Sequence, residues 1–207
     1  DATLAHYSRV VELGAAAGDH LPTALSRRCE VWEWLGQYDR ALVDCAALYR
    51  WGQERHDPGV VSRALSQSAW FRMVRGDLDA GLDCAQQALA LATQTGDPRS
   101  LVGTLSTAGA LRGSRGNLDQ ALELFHQALD LAQAWNDPAE IARLWHSIGS
   151  VHLLRGDNKA ALAAFDQALA RRRALDNRRD VARTLTNIGH IRYNQGDLNA
   201  ARGAFEE

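Results

Sequence analysis

Gly76-Asp77-Leu78-Asp79-Ala80 recurs along the chain as Gly116-Asn117-Leu118-Asp119-Gln120, Gly156-Asp157-Asn158-Lys159-Ala160 and Gly196-Asp197-Leu198-Asn199-Ala200. Glycine also stands at 36, so one short stretch returns every 40 residues. Self-similarity at such a period marks an array in which each unit buries its apolar face against its neighbours. Glycine ends a helix by taking the left-handed conformation just past it, and the Asp or Asn that follows is suited to cap the next helix. The stretch therefore reads as the tight turn of a helical hairpin.

Upstream of the turn, Leu25, Leu65, Leu105, Trp145 and Leu185 form one column and Val31, Phe71, Leu111, Val151 and Ile191 another. Between them Cys29, Ala69, Gly109, Gly149 and Gly189 are small throughout. A large residue beside a small one at i+4 sets a knob next to a hole on one helix face, which lets a second helix approach closely. Downstream, Ala41, Gly81, Ala121, Ala161 and Ala201 are followed four residues later by Cys45, Ala85, Phe125, Phe165 and Phe205. Each unit is thus helix A, turn, helix B. Units join through His56-Asp57-Pro58, Gly96-Asp97-Pro98 and Asn136-Asp137-Pro138, where an aspartate N-cap and a first-position proline start the next helix A. Asp176-Asn177-Arg178 keeps a cap without the proline. The span from Asp19 to Gly36 is two residues shorter than that from Asp57 to Gly76, so the first helix A is expected to start later.

The 207 residues are rich in alanine, leucine and arginine and contain four prolines, a composition that favours helix. A formal charge of −2 gives no overall reason to expect nucleic acid or an anionic membrane and leaves a protein partner or none. Lys159 is the only lysine beside 22 arginines, a bias read here as that of a GC-rich bacterial genome. Cys29, Cys45 and Cys84 are odd in number and lack C-x-x-C spacing, which indicates neither a disulfide framework nor a zinc site and fits a reducing cytoplasm. No stretch approaches the ~18 apolar residues of a membrane span. The first residues, Asp1 to His6, lack a positively charged, hydrophobic leader.

Trp145-His146-Ser147-Ile148-Gly149-Ser150-Val151-His152, followed by Ala161 and Phe165, resembles the tetratricopeptide pattern W-x2-L-G-x2-Y…A-x3-F, with histidine in the tyrosine position. Ala121/Phe125 and Ala201/Phe205 repeat its second element, and Leu185, Ile188 and Gly189 its first. The resemblance covers almost the whole chain, with degenerate first and second units. Forty residues instead of about 34 imply longer helices, similar to the long-helix arrays of kinesin light chains, polarity adaptors, Rap-type bacterial regulators and bacterial sensor arms. The resemblance implies an all-α fold, a right-handed α-solenoid of antiparallel helix A/helix B hairpins. It divides residues 1–207 into an orphan helix B at 1–18, units at 19–56, 57–96, 97–136 and 137–176, and a truncated unit at 177–207. The opening segment aligns on Asp79 to Asp97 and the chain closes at Glu207 inside another helix B, so it reads as a piece cut from a longer array.

Signs of catalysis are few: the chain has no G-x-S-x-G, no Gly-rich phosphate loop after a strand and no H-E-x-x-H. His146 and His152 are six apart, which does not stack two imidazoles on one helix face, so no metal or cofactor is expected. Asp77 and Asp79 read as caps and first-turn dipole partners. Arg171-Arg172-Arg173 with Arg178-Arg179 reads as a solvated helix end rather than a nucleic-acid patch.

The tetratricopeptide resemblance assigns a concave ligand face to helix A, at its second, fifth, sixth, ninth, twelfth and thirteenth positions counted from Pro22, Ser62, Val102, Ala142 and Ala182. The first unit then offers Glu30, Glu33 and Trp34. The third is smooth, with Gly103, Ser106 and an exposed Gly113 among its residues. The candidate ligand-binding residues are Arg63, Trp70, Arg143, His146, Arg183, Asn187, His190, Tyr193 and Asn194. Arg143 and Arg183 read equally as solvated side chains. Asn187 resembles the asparagine with which related arrays hold a peptide backbone, or is a polar surface residue. Trp34 and Trp70 are expected to lie partly buried between helices. The chaperone-type carboxylate clamp is not reproduced, since its basic and asparagine positions fall on His146 and Ser150.

These readings converge on a cytoplasmic, non-enzymatic module that docks a protein or peptide segment, acidic at the end of units four and five. It would serve as the sensor or scaffold arm of a multidomain bacterial signalling protein, beside flanking domains. The alternative is a structural spacer or self-association solenoid without a groove ligand. Uncapped solenoid ends expose apolar faces, so end-to-end self-association is expected as well.

Overall fold

The computed structural model describes residues 2–207, and all their side chains except those of Ala2 and Ala15; Asp1, in the expected segment 1–18, lies outside the described residues. Regular structure among the described residues is entirely helical. A first compact unit ends at Arg115 and holds α1 (Ala2–Glu12), a 3-10 turn (Gly14–Ala17), α2 (His20–Trp34), α3 (Tyr38–Glu54), α4 (Pro58–Val74), α5 (Leu78–Thr95) and α6 (Pro98–Ser114). A second starts at Gly116 and holds α7 (Leu118–Ala134), α8 (Pro138–Leu154), α9 (Asn158–Ala174), α10 (Arg178–Asn194) and α11 (Leu198–Glu206). Helix α2 has 15 residues where α4 has 17, the later start that the shorter spacing predicts.

The recurring glycine acts as expected. Gly76 sits at φ 85°, and its N–H donates to Met73 O at 2.9 Å while the N–H of Asp77 donates to Arg72 O at 2.9 Å. This two-bond closure uses carbonyls left over at the helix end and needs the left-handed residue between them. Asp157 and Asp197 then cap α9 and α11, accepting from Ala160 N and Ala200 N at 3.0 and 3.1 Å. Asp77 instead takes the Arg72 guanidinium at 3.0 Å, and neither it nor Asn117 makes a side-chain cap bond. At the second connection Asp57, Asp97, Asp137 and Asn177 all accept cap bonds from the first turn of the following helix.

The small column of helix A receives the fifth residue of the B-helix column A-x3-F. Phe165 is fully buried, and a Cβ added at Gly149 would stand 2.7 Å from its Cδ1. Gly189 faces Phe205 in the same way, at 2.5 Å from Cε1. In the first hairpin both partners change, to Cys29 and Cys45, whose sulfurs lie 3.7 Å apart. Volume is exchanged across a fixed spacing of 16 residues, as close-packed interiors demand.

Two sets of polar contacts are added to this packing. Arg75 pairs with Asp39 at 2.8 Å, Arg115 with Asp79, and Arg155 with Asp119 at 3.0 Å, each tying the end of a helix A to the first turn of the preceding helix B. Asp79 is thus an inter-hairpin partner in addition to a first-turn acid. One period on, both members change together, to Lys159 and Gln195. Such exposed pairs contribute about 0–1 kcal/mol each, so they set register more than stability. Inside the first unit, buried Asp44 accepts from Arg28 Nε and Nη2 at 2.7 and 2.5 Å and from Trp32 Nε1 at 2.9 Å.

Gly113 departs from its expected exposure: it is buried in α6, as is Ser106. Small residues there accommodate close packing instead of smoothing an open surface. The open position is Gly103, where an added Cβ would meet nothing within 4 Å. Gly103→Ala is expected to stabilise by up to about 1 kcal/mol, through helix propensity and a less flexible unfolded chain. A thermal melt with an unchanged or lower midpoint would contradict that environment.

Candidate ligand-binding face

In the second unit, the residue that organises the face comes from helix B. Arg172 is 2 % exposed, which overturns the reading of a solvated helix end for that residue, while Arg173, Arg178 and Arg179 are exposed as expected and Arg171 is half-buried. Arg172 continues the buried stripe Ala161, Ala164, Phe165, Ala168 and Leu169 of α9, and its apolar stem lets it do so. Its Nη1 donates to the carbonyl oxygen of Asp180 at 3.0 Å, to Thr184 Oγ1 and to His146 Nδ1 at 3.1 Å, connecting α9 with α8 and α10.

A guanidinium has only donors, so Nδ1 of His146 accepts and the imidazole proton sits on Nε2. Burial is the main cause, with Arg172 and Arg183 adding to it, that the pKa of His146 falls to about 3. The ring lies 5.3 Å from that of Phe165. His146 is therefore a neutral hydrogen-bonding edge and adds no positive charge to the face.

The other two cations are already engaged. Arg143 donates through Nε to Glu140 Oε2 at 3.0 Å, and through Nη2 to Glu140 Oε1. Arg183 lies 3.4 Å from Asp180 Oδ1. Three guanidinium groups thus share two carboxylates, and the buried Arg172 is bonded only to neutral acceptors. Burial also lowers the pKa of Arg172, with Asp180 opposing, yet an arginine stays charged in water-accessible proteins. Further along α10, Asn187 is half-buried while His190, Tyr193 and Asn194 are exposed, and the His190 ring stands 5.6 Å from Phe205.

In the first unit, Arg63 is exposed on α4 and Trp70 is half-buried. Trp70 Nε1 donates to Glu33 Oε1 at 2.9 Å, joining α4 to α2. Trp34 was expected to be partly buried but is 75 % exposed, because it is the last residue of α2 and falls off the helix's buried stripe. The structure therefore groups Arg143, His146 and Arg183 around Arg172, and places Arg63 and Trp70 on a separate unit.

An open concavity of ≈ 270 Å³ lies elsewhere, at the first hairpin turn, lined by Gly36, Gln37, Tyr38, Asp39, Arg40 and Arg75. Its Arg75 is paired with Asp39, and Arg40 stacks over Trp32 at 5.0 Å. Among the described residues there is no cluster of three or more His, Cys, Asp or Glu side chains able to hold a metal, and no helix long and apolar enough to cross a membrane.

The sequence matches the tetratricopeptide repeat family over residues 60–134 and 140–207. The chain belongs to that family. Its fold is accordingly an α-solenoid of tetratricopeptide hairpins, the architecture that the glycine period and the Trp145 to Phe165 pattern predict. Solved structures agree. BtubC (BKLC) from P. vanneervenii superposes with a TM-score of 0.76 at 19% identity, over 99% of this chain and 87% of that one. A Rap protein complexed with Competence and Sporulation Factor gives 0.81 at 18%, over 91% of this chain and 53% of the Rap chain, about half its length. Kinesin light chain TPR-like repeats from Podosopora anserina give 0.66 at 12%, over 91% and 94%. At these identities the likeness extends to the fold alone. Comparison with curated proteins finds no match.

Proposed function

We propose that this tetratricopeptide array is a non-enzymatic docking module that holds an extended or helical protein segment against the helix A face of α8 and α10, with a preference for carboxylate side chains. The observation that carries this reading is the charge surplus at Arg172, a buried cation with neutral acceptors, flanked by Arg143 and Arg183. An incoming carboxylate completes the balance of three cations and two anions, and a charge-assisted bond in a partly desolvated site is stronger than a neutral one. Asn187, His190, Tyr193 and Asn194 on α10 supply further polar and aromatic contacts along the same helix. The Rap structure that this chain resembles was solved in complex with Competence and Sporulation Factor, a precedent on the same fold for holding a factor. On that precedent the module serves as the sensor or scaffold arm of a larger bacterial regulator. The three free cysteines suit a reducing cytoplasm.

The test is fluorescence anisotropy with a labelled peptide carrying glutamate at alternate positions, against its glutamine counterpart and an arginine counterpart. The glutamate peptide is expected to bind best, and Arg143→Ala/Arg183→Ala to weaken it about tenfold or more, the scale of losing charged contacts at a binding face. Equal binding of all three peptides by the second unit's face, or normal binding by the double variant, defeats the proposal. The spacer alternative draws support from the Asp39–Arg75, Asp79–Arg115 and Asp119–Arg155 pairs, which stiffen adjoining hairpins. It expects no peptide binding at all.

A further inference from the structure

The first unit carries a face of opposite chemistry. Glu33 is held by the indole N–H of Trp70, at 2.9 Å to Oε1, which ties one carboxylate oxygen and leaves Oε2 for another donor. Its neighbour Glu30 already holds Arg27 at 3.0 Å. Glu33 has no such partner: among the described residues no arginine or lysine forms an ion pair with it. Trp34, next in the chain, leaves 75 % of its surface exposed, and Leu35 beside it is half exposed. Tryptophan is highly buried on average, and exposed apolar surface at a polar rim marks an interaction site.

A carboxylate fixed by one indole N–H, with a second, largely exposed indole next in the chain, is the complement of a planar cation. The carboxylate accepts charge-assisted hydrogen bonds from a guanidinium, and the ring faces attract it through their quadrupole. An acidic or neutral side chain would use neither the charge nor the ring faces in this way. The chain already makes the aromatic half of the contact internally, with Arg40 over Trp32 at 5.0 Å and Arg55 over Trp51 at 4.4 Å. Charge complementarity and exposed aromatic area thus select one occupant.

We propose that Glu33, Trp34 and Trp70 form a binding site for an arginine side chain of a partner peptide. The site is independent of the carboxylate-preferring face on α8 and α10, and a segment reading it presents its arginine to α2 and α4. Glu33 supplies the salt bridge, Trp34 an exposed stacking face, and Trp70 fixes the Glu33 carboxylate in place.

Isothermal titration with a blocked hexapeptide bearing arginine at alternate positions, against the same peptide bearing citrulline, tests this, since citrulline keeps the shape and loses the charge. The arginine peptide is expected to bind about tenfold tighter, from a cation–π contact and a charged hydrogen bond together. Glu33→Gln and Trp34→Ala, both at exposed positions, are each expected to remove most of that difference while circular dichroism stays unchanged. Arg143→Ala/Arg183→Ala is expected to leave it intact, which separates failure here from failure of the acidic-ligand reading. Equal affinity for the two peptides, or wild-type binding by both Glu33→Gln and Trp34→Ala, overturns the proposal.

Discussion

Phe165→Ala is expected to lower stability by about 3–5 kcal/mol, the range for removing a large, fully buried aromatic side chain. The more informative result concerns its partner. Gly149→Ala adds a methyl group whose carbon would stand 2.7 and 2.8 Å from Cδ1 and Cε1 of Phe165, well inside contact distance. The ring is fully buried and cannot swing aside. The clash is therefore expected to exceed the roughly 1 kcal/mol that alanine gains over glycine in a helix, and Gly149→Leu is expected to cost about 1–3 kcal/mol or more through overpacking. In a Phe165→Ala background the obstacle is gone, and Gly149→Ala is expected to stabilise. That change of sign, read by chemical denaturation in a double-mutant cycle, reports the knob and its hole directly. Gly189→Ala offers a control: its added Cβ would stand even closer to Phe205, at 2.5 Å, but that ring is half exposed and free to move away, so the loss is smaller. The same effect of Gly149→Ala in both backgrounds would mean that the two columns do not meet as described.

The contrast between Gly149 and Arg172 marks how far the sequence carries. Period, hairpin turns, caps and the pairing of small and large columns were all legible, because each is a local rule repeated until chance fails as an explanation. Gly149 lies in a column of five, and its role follows from the column. Arg172 has no column: the residues one and two periods before it, Ala132 and Ala92, are small and buried. A warning sign was present all the same, since 172 falls four residues after Ala168 and three after Leu169, on the apolar stripe of α9. Charge composition masked it, because a run of three arginines at a helix end looks like a favourable dipole interaction with solvent. Trp34 and Gly113 failed for the opposite reason. Gly113 was assigned from its register position and Trp34 from the average burial of tryptophan, and exposure at a helix end, or burial within the packed array, depends on packing that neither rule contains. The pairs Asp39–Arg75, Asp79–Arg115 and Asp119–Arg155 did repeat every 40 residues and were readable as a co-varying pair 36 apart. The sequence hides them because a first-turn aspartate already has a sufficient local explanation in the helix dipole.

The second large effect is expected on acidification. At pH 7 the imidazole of His146 is neutral both in the folded protein, where its pKa is about 3, and in the unfolded chain, where it lies near 6.5. It then contributes nothing to the difference between the two states. Below pH 6.5 the unfolded chain takes up a proton that the folded protein refuses, so the unfolded state gains stability as pH falls. The loss grows by about 1.4 kcal/mol per pH unit until the folded-state pKa is reached, on the order of 5 kcal/mol in all. The physical obstacle is specific: protonating Nδ1 would turn it from acceptor to donor against the Arg172 guanidinium at 3.1 Å, in a buried place with Arg183 near and only Asp180 to compensate. Arg172→Met removes both the donor and the neighbouring charge while keeping an unbranched apolar stem. It is expected to raise the His146 pKa and to flatten the acid limb of stability between pH 6.5 and pH 3, with little cost at pH 7, since an unpaired buried charge gives way to an apolar side chain. Proton NMR titration of the His146 ring in wild type and Arg172→Met, alongside denaturation at several pH values, measures both sides of the linkage. A wild-type ring that titrates near its ordinary value would remove the Arg172–His146 contact, and with it the claim that this histidine meets a ligand as a neutral hydrogen-bonding edge.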